Sequence, residues 1–250
     1  MLFLPRSEVL SIEELLRTAR LFTALGVRKF RVTGGEPLIR RGVHELFEGL
    51  GALAGLDSLA LTTNGSQLAD SGHALRDAGV DSINISLDSL QAERFKAITR
   101  VGDLNTVLRG IDRAVECGFD RIRLNAVILD GLNRDEVVPL THYALENGIH
   151  IAFIEEMPLG QVNVGGKPLA YVSSDTLQEE LAEHFTLVPM TASDTAGPAR
   201  DFLIAGSQTQ VGFISPHSHN FCAQCNRLRI SAEGRLLMCL GYEVLIDLRG

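Results

Sequence analysis

Residues 11–33, SIEELLRTARLFTALGVRKFRVT, contain one complete helix-to-strand unit. Ser11 and Glu14 have the spacing of a capping box, in which each side chain bonds the other residue's backbone N–H at the start of a helix. Gly26 ends that helix, because glycine adopts the left-handed conformation of a helix terminus without steric cost. The following RKFRVT, residues 28–33, is rich in apolar and β-branched side chains and predicts a β-strand.

This helix-to-strand rhythm repeats along more than half of the chain. Such alternation requires parallel strands joined by right-handed crossovers, so we expect either a doubly wound sheet or a β/α barrel. The predicted strands are residues 28–33, 58–63, 82–86, 121–128 and 150–156. The later helices are predicted at residues 43–53, 67–78, 106–116 and 135–147, and we expect Pro139 to bend the last one.

The rhythm changes near residue 157. We expect a division into a β/α unit, residues 1–159, and an antiparallel, cysteine-bearing region, residues 160–250. The elements predicted in the second part are a helix at 174–184, strands at 185–188, 202–205 and 210–214, and a hairpin formed by residues 228–231 and 235–239.

Composition excludes several classes of protein. A chain of 250 residues with 45% hydrophobic side chains can bury a real core. Its net charge of −8 argues against a nucleic-acid or membrane-surface binder, because such proteins attract phosphates with a basic field. No apolar run reaches the roughly 18 residues that cross a bilayer. We therefore expect a cytoplasmic protein without nucleic-acid or membrane partners.

Polar or glycine-rich motifs mark all five predicted strands of the first part. Ligands bind at the carboxyl ends of parallel strands because the connecting loops and helix N-termini converge there. Each motif alone is equally typical of a turn, and Met157 alone is typical of a core, but their recurrence at one edge favours a ligand site. The motifs are TGGEP at 33–37, TTNG at 62–65, Ser86 with Asp88, Arg123 with Asn125, and EEMP at 155–158.

Three of the four cysteines cluster near the end of the sequence as Cys222, Cys225 and Cys239. This C-x2-C-x13-C spacing suits an iron–sulfur cluster or a zinc ion. Zinc stays open at this point because His217 or His219 would complete a structural Cys3His site. The fourth cysteine, Cys117, is typical of a packing residue.

Arg227 and Arg229 lie directly beside this cysteine group in the string CNRLR. Guanidinium groups are planar, permanently charged and suited to bidentate phosphate contact. In an acidic protein the pair favours a site for an anionic substrate. The alternative is that the two arginines only offset the charge of metal-bound thiolates or solvate a strand face.

Five segments together resemble the GTP 3′,8-cyclases of molybdenum cofactor biosynthesis, a radical S-adenosylmethionine (SAM) family. The resemblance extends over nearly the whole chain and implies an incomplete β/α barrel of radical SAM type with a C-terminal cluster-bearing region. The matching segments are RVTGGEPLIR at 31–40, LTTNG at 61–65, NISLD at 84–88, FIEEMP at 153–158 and FCAQCNRLR at 221–229.

The resemblance implies a lyase with two 4Fe–4S clusters. In this family one cluster reductively cleaves SAM, the resulting radical removes hydrogen from C3′ of GTP, and C3′ bonds to C8. The product is (8S)-3′,8-cyclo-7,8-dihydroguanosine 5′-triphosphate. The implied partners are GTP, SAM and a downstream molybdopterin-precursor synthase, and a homodimer is one assembly that the resemblance allows.

Site residues follow from the resemblance position by position. The C-terminal cluster would leave one iron open to guanine because it has three cysteine ligands instead of four. The Arg123 position usually holds a lysine in this family. The implied contacts are Gly35, Glu36, Ser86 and Met157 for SAM, Arg31, Thr62, Arg123, Arg227 and Arg229 for GTP, and Cys222, Cys225 and Cys239 for the cluster.

The sequence departs from the family at its start. The family carries Cys-x3-Cys-x2-Cys after the first barrel strand, and this string is absent from the 250 residues. We therefore expect a fragment that lacks the first strand and the radical-generating cluster and is inactive as it stands. The alternatives are a non-catalytic relative that keeps GTP and one cluster, and a zinc-stabilised β/α domain.

Overall fold

A computed structural model describes residues 5, 8–156, 163–164, 167–168, 170–191, 197–219, 225–239 and 242–249, with backbone alone at 163–164, 167–168, 239 and 242–245. The strands, in chain order, are β1 (Lys29–Val32), β2 (Ser58–Thr63), β3 (Ser82–Ser86), β4 (Arg121–Asp130), β5 (His150–Glu155), β6 (Asn163–Val164), β7 (Lys167–Pro168), β8 (Ala170–Tyr171), β9 (Leu187–Pro189), β10 (Ala199–Ile204), β11 (Gln210–Ile214), β12 (Arg229–Ile230), β13 (Arg235–Cys239) and β14 (Tyr242–Asp247).

The main sheet has the strand order β1-β2-β3-β4-β5-β11-β10-β9, and β8 pairs with the end of β4. Strands β1 to β5 and β11 run parallel to one another. In the described residues the sheet is open, with β1 and β9 at its edges. The α/β class and the incomplete parallel architecture predicted from the sequence are confirmed.

Seven helices of the described chain pack against the main sheet or connect its strands. They are α1 (Ile12–Ala24), α2 (Val43–Gly51), α3 (Leu68–Asp77), α4 (Ala92–Thr99), α5 (Leu104–Glu116), α6 (Val137–Glu146) and α7 (Ser174–Ala182). The predicted capping box is present at α1, where Glu14 N–H donates to Ser11 Oγ over 3.2 Å and Ser11 N–H donates to Glu14 Oε2 over 2.6 Å.

Two helical features differ from the sequence prediction. Helix α4 was not predicted, because Phe95 is its one buried residue and the apolar periodicity is correspondingly weak. The predicted helix at 135–147 begins later than expected, because a 3-10 turn at Arg134–Glu136 precedes α6 and places Pro139 in the first turn of the helix. A proline is tolerated there, since the first-turn N–H groups have no partner within the helix.

The C-terminal region contains the predicted antiparallel pairs. Strands β9 and β10 pair antiparallel, and β12, β13 and β14 form a separate antiparallel sheet. Strand β11 departs from this arrangement and pairs parallel to β5, with Phe213 beside Phe153. The main sheet therefore continues past residue 160, and the division into two domains at that point stays a prediction.

The two faces of the main sheet have opposite character because side chains alternate along each strand. The face under the helices is apolar, and its Phe153 and Phe213 are fully buried in the same core as Phe47 of helix α2. The other face, called the inner face below, carries polar side chains from most of the same strands. No helix in the described residues is long and apolar enough to cross a membrane.

Asn133 ties the ends of β3 and β4 together. Its side chain is fully buried, its Oδ1 accepts from Leu129 N–H over 3.0 Å, and its Nδ2 donates to the carbonyls of Asp88 and Val127 over 2.8 and 2.9 Å. The side-chain amide of Asn133 therefore holds the loop after β3 and the end of β4 together.

We expect Asn133→Ala to lower the free energy of unfolding by about 2–3 kcal/mol, because it removes the side-chain partner of one buried and two partly buried backbone groups. Urea denaturation followed by circular dichroism measures the change. Asn105→Ala is the matched control, since Asn105 is exposed, and we expect it to cost less than about 0.5 kcal/mol. Equal effects of the two substitutions would contradict this account of Asn133.

Candidate functional site

The loop after β1 is fixed by Glu36. Its Oε1 accepts from Leu38 N–H over 3.1 Å and Thr63 Oγ1 over 2.8 Å, and its Oε2 accepts from Asn64 N–H over 2.6 Å. Gly34 has φ of +153°, a backbone conformation that favours glycine, and nothing lies within 4 Å of the position where a Cβ on Gly35 would be. The TGGEP motif therefore presents open backbone, and Glu36 joins the ends of β1 and β2.

Arg31 and Thr62 meet on the inner face. The Arg31 Nη1 donates to Thr62 Oγ1 over 3.2 Å and to the Leu61 carbonyl over 3.3 Å. Two residues predicted for one ligand from separate strands are thus in direct contact. Their contact orients the guanidinium group along the inner face.

Ser86 and Asn125 are neighbours across β3 and β4. The Oδ1 of Asn125 is buried and has no hydrogen-bond partner in the described chain. A buried acceptor without a partner is costly, so it points to a ligand or water at this position. Asn125 was named in the sequence motif but was not among the predicted ligand contacts.

Asp88 follows Ser86 at the carboxyl end of β3. Burial raises the pKa of Asp88 to about 6, against the opposing effect of the Val127 N–H, which donates to Oδ1 over 2.8 Å. The edge that carries Ser86 therefore also carries a carboxyl group that takes up a proton close to neutral pH.

Arg123 extends along the inner face from β4 to Asp201 on β10. Its Nη2 lies 2.8 Å from Asp201 Oδ1, while Arg121 Nη2 lies 3.7 Å from Oδ2 of the same carboxylate. The Nε of Arg123 is buried without a partner in the described residues. The predicted GTP contact Arg123 is therefore already paired with an acidic side chain.

Other basic side chains lie close to this pair. Burial lowers the pKa of Lys29, Arg31 and Arg121, and repulsion from neighbouring guanidinium groups lowers each further. Burial, together with Arg121 and Arg123, lowers the pKa of His150 to about 4, so its imidazole is neutral at pH 7. The inner face thus concentrates positive charge in a protein whose net charge is −8.

The C-terminal arginines approach this cationic face. Repulsion from Arg227 is one of the causes that lower the pKa of Arg31, although burial and the charges of Arg123 and Arg121 have larger effects. The guanidinium groups of Arg227 and Arg31 therefore lie close enough to repel each other. Arg227 and Arg229 are both exposed. The structure therefore brings one arginine of the CNRLR string toward the contacts predicted from β1.

Cys225 is exposed, and its pKa is lowered. The largest cause is a hydrogen bond from the Arg227 backbone N–H, which burial opposes. The guanidinium groups of Arg227 and Arg229 lower the pKa further. A lowered pKa favours the thiolate, the form that binds metals. Cys222, Met157 and the side chain of Cys239 lie outside the described residues, so the convergence of the three sulfurs stays a prediction.

His217 and His219 each use Nε2 for a contact within the protein. His217 Nε2 lies 2.7 Å from the Glu156 carbonyl oxygen, and His219 Nε2 lies 3.0 Å from each Asp175 oxygen. A zinc ion bound at either Nε2 would have to break one of these contacts. No group of three metal-binding side chains is present among the residues whose side chains are described.

Glu155 holds the turn that carries these histidines. Its side chain is 1% exposed, and it accepts from Ser174 N–H over 2.8 Å, Ser218 Oγ over 2.5 Å, and the N–H groups of His217 and Ser218 over 3.1 Å each. Burial alone would raise the pKa of Glu155, but these hydrogen bonds outweigh it and lower the pKa to about 2. The buried carboxylate therefore joins β5, the start of α7 and the turn at 215–219.

Several residues of the inner face were missed from the sequence. Lys29 and Arg121 precede Arg31 and Arg123 by two positions on the same strands, so the alternation of side chains could have found them. Asp201 could not be found in this way, because the predicted strand began at residue 202 and the observed β10 begins at residue 199.

Comparisons with known proteins agree with the motifs. A family model described as the Radical SAM superfamily matches residues 3–144, and one described as Molybdenum Cofactor Synthesis C matches residues 149–250. A protein named GTP 3′,8-cyclase from Pseudomonas entomophila (strain L48) is 54% identical over 250 residues, which cover 100% of this chain and 75% of that protein. The chain belongs to the GTP 3′,8-cyclase family.

A second GTP 3′,8-cyclase, from Saccharophagus degradans, is 51% identical over 249 residues and is covered over 75% of its length. Both relatives match the whole of this chain. The resemblance predicted from the motifs is confirmed, and the chain is a radical SAM protein of molybdenum cofactor biosynthesis.

Solved structures support the fold of this cyclase family member. The crystal structure of Streptococcus suis SuiB has a TM-score of 0.65 at 15% identity, with 92% of this chain and 54% of that chain covered. Coproporphyrinogen III oxidase (HemN) from Escherichia coli, described as a radical SAM enzyme, has a TM-score of 0.51 at 12% identity, with 95% and 56% covered. The chain thus spans about half the length of these structures and shares their fold.

We expect Glu155→Gln to lower the free energy of unfolding at pH 7 by about 2–3 kcal/mol, because it removes the charge of a buried carboxylate that accepts four hydrogen bonds. The folded-state pKa of about 2 lies below the usual 4.5, so the ionised group stabilises the fold above pH 4.5 and this contribution is lost as the pH falls toward 2. Urea denaturation at several pH values should show a shallower pH dependence for the variant. Equal pH dependence in both proteins would refute this role.

Proposed function

We propose that this protein is a GTP 3′,8-cyclase of molybdenum cofactor biosynthesis that converts GTP to (8S)-3′,8-cyclo-7,8-dihydroguanosine 5′-triphosphate by radical SAM chemistry. The observation that carries the proposal is the cationic inner face, where Arg31, Arg121 and Arg123 lie together and Arg227 is close enough to affect Arg31. Such a concentration of guanidinium groups in an acidic chain suits a polyphosphate.

The GTP contacts are Arg31 and Thr62 from adjacent strands, Arg123 from β4, and Arg227 and Arg229 from the C-terminal segment. Arg31 and Thr62 already share a hydrogen bond, so a phosphate oxygen reaching Arg31 would meet an oriented guanidinium group. The unpartnered Nε of Arg123 offers a further donor on the same face. These residues bind and orient the nucleotide.

The SAM contacts are Gly35, Glu36, Ser86 and Met157. Open backbone at Gly35 allows close approach of the ligand, and the Glu36 carboxylate accepts three hydrogen bonds, which leaves one of its about four lone-pair directions for an ammonium group. The unpartnered Oδ1 of Asn125 beside Ser86 fits a polar ligand at this edge. Bound there, SAM supplies the hydrogen-abstracting group of the family reaction.

A 4Fe–4S cluster would be held by Cys222, Cys225 and Cys239. The lowered pKa of Cys225 suits a thiolate ligand. The match to the GTP 3′,8-cyclase family favours a cluster over a Cys3His zinc site. Held there by three thiolates, the cluster would supply an iron that can bind guanine. Arg227 and Arg229 would then offset the negative charge of the cysteine thiolates and of the GTP phosphates.

The 250 residues of this protein account for only part of the family reaction. None of its four cysteines belongs to a Cys-x3-Cys-x2-Cys string. Assayed by themselves, these 250 residues should bind GTP without cleaving SAM, because the proposed cyclisation also requires the thiolates of that string. The cyclised triphosphate would pass to a molybdopterin-precursor synthase.

We expect Arg31→Ala to weaken GTP binding by about tenfold to a hundredfold, because charged hydrogen bonds to phosphate are worth roughly 1.5–3 kcal/mol. Equilibrium dialysis of anaerobically purified protein with labelled GTP measures the affinity. Arg17→Ala is the control, since Arg17 is an exposed arginine of α1, and its affinity should equal that of the unaltered protein. Unchanged affinity in Arg31→Ala would reject the GTP site.

We expect Cys225→Ser to lose bound iron and the associated visible absorbance, because serine cannot replace a thiolate in holding the cluster. Cys117→Ser is the control, since Cys117 caps α5 away from the cysteine group, and it should retain both. Metal analysis after anaerobic reconstitution distinguishes the cases. Stoichiometric zinc without iron in the unaltered protein would favour the zinc-stabilised domain instead.

A further inference from the structure

Asp201 is an acidic side chain placed among cations that are proposed to bind phosphate. It is bonded to Arg123 over 2.8 Å and lies 3.7 Å from Arg121, and its side chain is 24% exposed. Asp81 also lies near this face, but its two oxygens accept from Ser58 Oγ and Leu59 N–H at the start of β2. Among the described residues, Asp201 is therefore the carboxylate in direct contact with the inner-face arginines.

The path from β4 to Asp201 depends on small side chains. Asp201 is paired with Gly212, Gly212 with Ala152, and Ala152 with Asn125, so glycine and alanine stand between β10 and β4 in that row. A Cβ on Gly212 would overlap Asp201 Oδ1 and would lie 3.5 Å from Arg123 Nη1. The ion pair thus occupies the space that a side chain at position 212 would fill.

We infer that Asp201 is a positioning residue that holds Arg123 across the inner face and competes with a polyphosphate for the same guanidinium group, thereby lowering the affinity for the anion. The inference rests on the proposed phosphate site and adds to it a residue that sets affinity. A phosphate that binds Arg123 must either displace the Asp201 carboxylate or lie close to it and be repelled by its negative charge. Both cost binding free energy in a partly buried place, where charges are weakly screened.

Competition and a purely structural role of Asp201 predict opposite changes in anion affinity. If Asp201 only supported Arg123, its removal would disorder the guanidinium group and weaken anion binding. If it competes, its removal strengthens anion binding, and the gain increases with the charge of the anion. It also makes binding more sensitive to salt, because the site gains one unit of net positive charge.

The test uses isothermal titration of the full chain with inorganic tripolyphosphate, and with inorganic phosphate as a probe of lower charge. We expect Asp201→Asn to bind tripolyphosphate about tenfold more tightly at low ionic strength, with a smaller gain for phosphate and a steeper loss of affinity as salt is added. Asp201→Glu keeps the charge and should stay within about threefold of the unaltered protein, on the same electrostatic reasoning.

Asp120→Asn is the matched control, because Asp120 forms a 2.8 Å ion pair with Arg76 on the helical side of the sheet. Its tripolyphosphate affinity should be unchanged. Asp201→Ser provides a second removal of the charge if the asparagine variant has a lowered melting temperature, and it should also bind more tightly. Unchanged or weaker tripolyphosphate binding in both charge-removing variants overturns the inference, as does a lack of binding to every variant.

The outcomes separate this inference from the proposed function. Tighter tripolyphosphate binding in Asp201→Asn, together with no GTP binding by any variant, would support the role of Asp201 and reject the GTP assignment. GTP binding by the unaltered protein, with no gain in Asp201→Asn for either anion, would support the GTP assignment and reject the role of Asp201.

Discussion

The alternation of side chains along the parallel strands is the constraint on which the site depends. Strands β2 to β4 place one set of residues against the helices and the next set on the inner face, so a single strand serves both core and ligand. Leu124 is fully buried in the core while its neighbours Arg123 and Asn125 face the opposite side. A shift of one residue in register would exchange these two sets. The arginines would then be buried in the apolar core, which would destabilise the fold.

Burial of basic groups on the inner face has an energetic cost, which a bound polyphosphate would offset. The pKa values of Lys29, Arg31 and Arg121 are all lowered by burial, which means that the fold holds these charges in a less favourable environment than water. Asp201 relieves part of this cost at Arg121 and Arg123. The stability of the fold and the proposed affinity for an anion would therefore depend on the same side chains.

Much of the fold was predictable because strong local patterns agreed with the tertiary structure. The predicted bounds of β2, β3 and β11 match the observed strands, and the Ser11–Glu14 capping box is present as expected. Helix α4 was not predictable because it buries little apolar surface. The parallel pairing of β11 was not predictable either, because an apolar run does not indicate the direction of the neighbouring strand. Gly35, Ser86, Arg31 and Thr62 were predicted as ligand contacts from the family resemblance, and their roles stay predictions. The contact between Arg123 and Asp201 could not be predicted, since it joins residues 78 positions apart.

The parallel direction of β11 determines which side of the molecule receives the residues that follow it. Because β11 runs alongside β5, the chain leaves it beside Glu155, and the turn at 215–219 is bonded to that carboxylate. Had this strand of five residues run the other way, it would have ended about 16 Å away at the opposite margin of the sheet, given a rise of roughly 3.3 Å per residue. Strand direction thus determines the edge of the sheet at which the turn at 215–219 lies, which is the edge formed by the carboxyl end of β5.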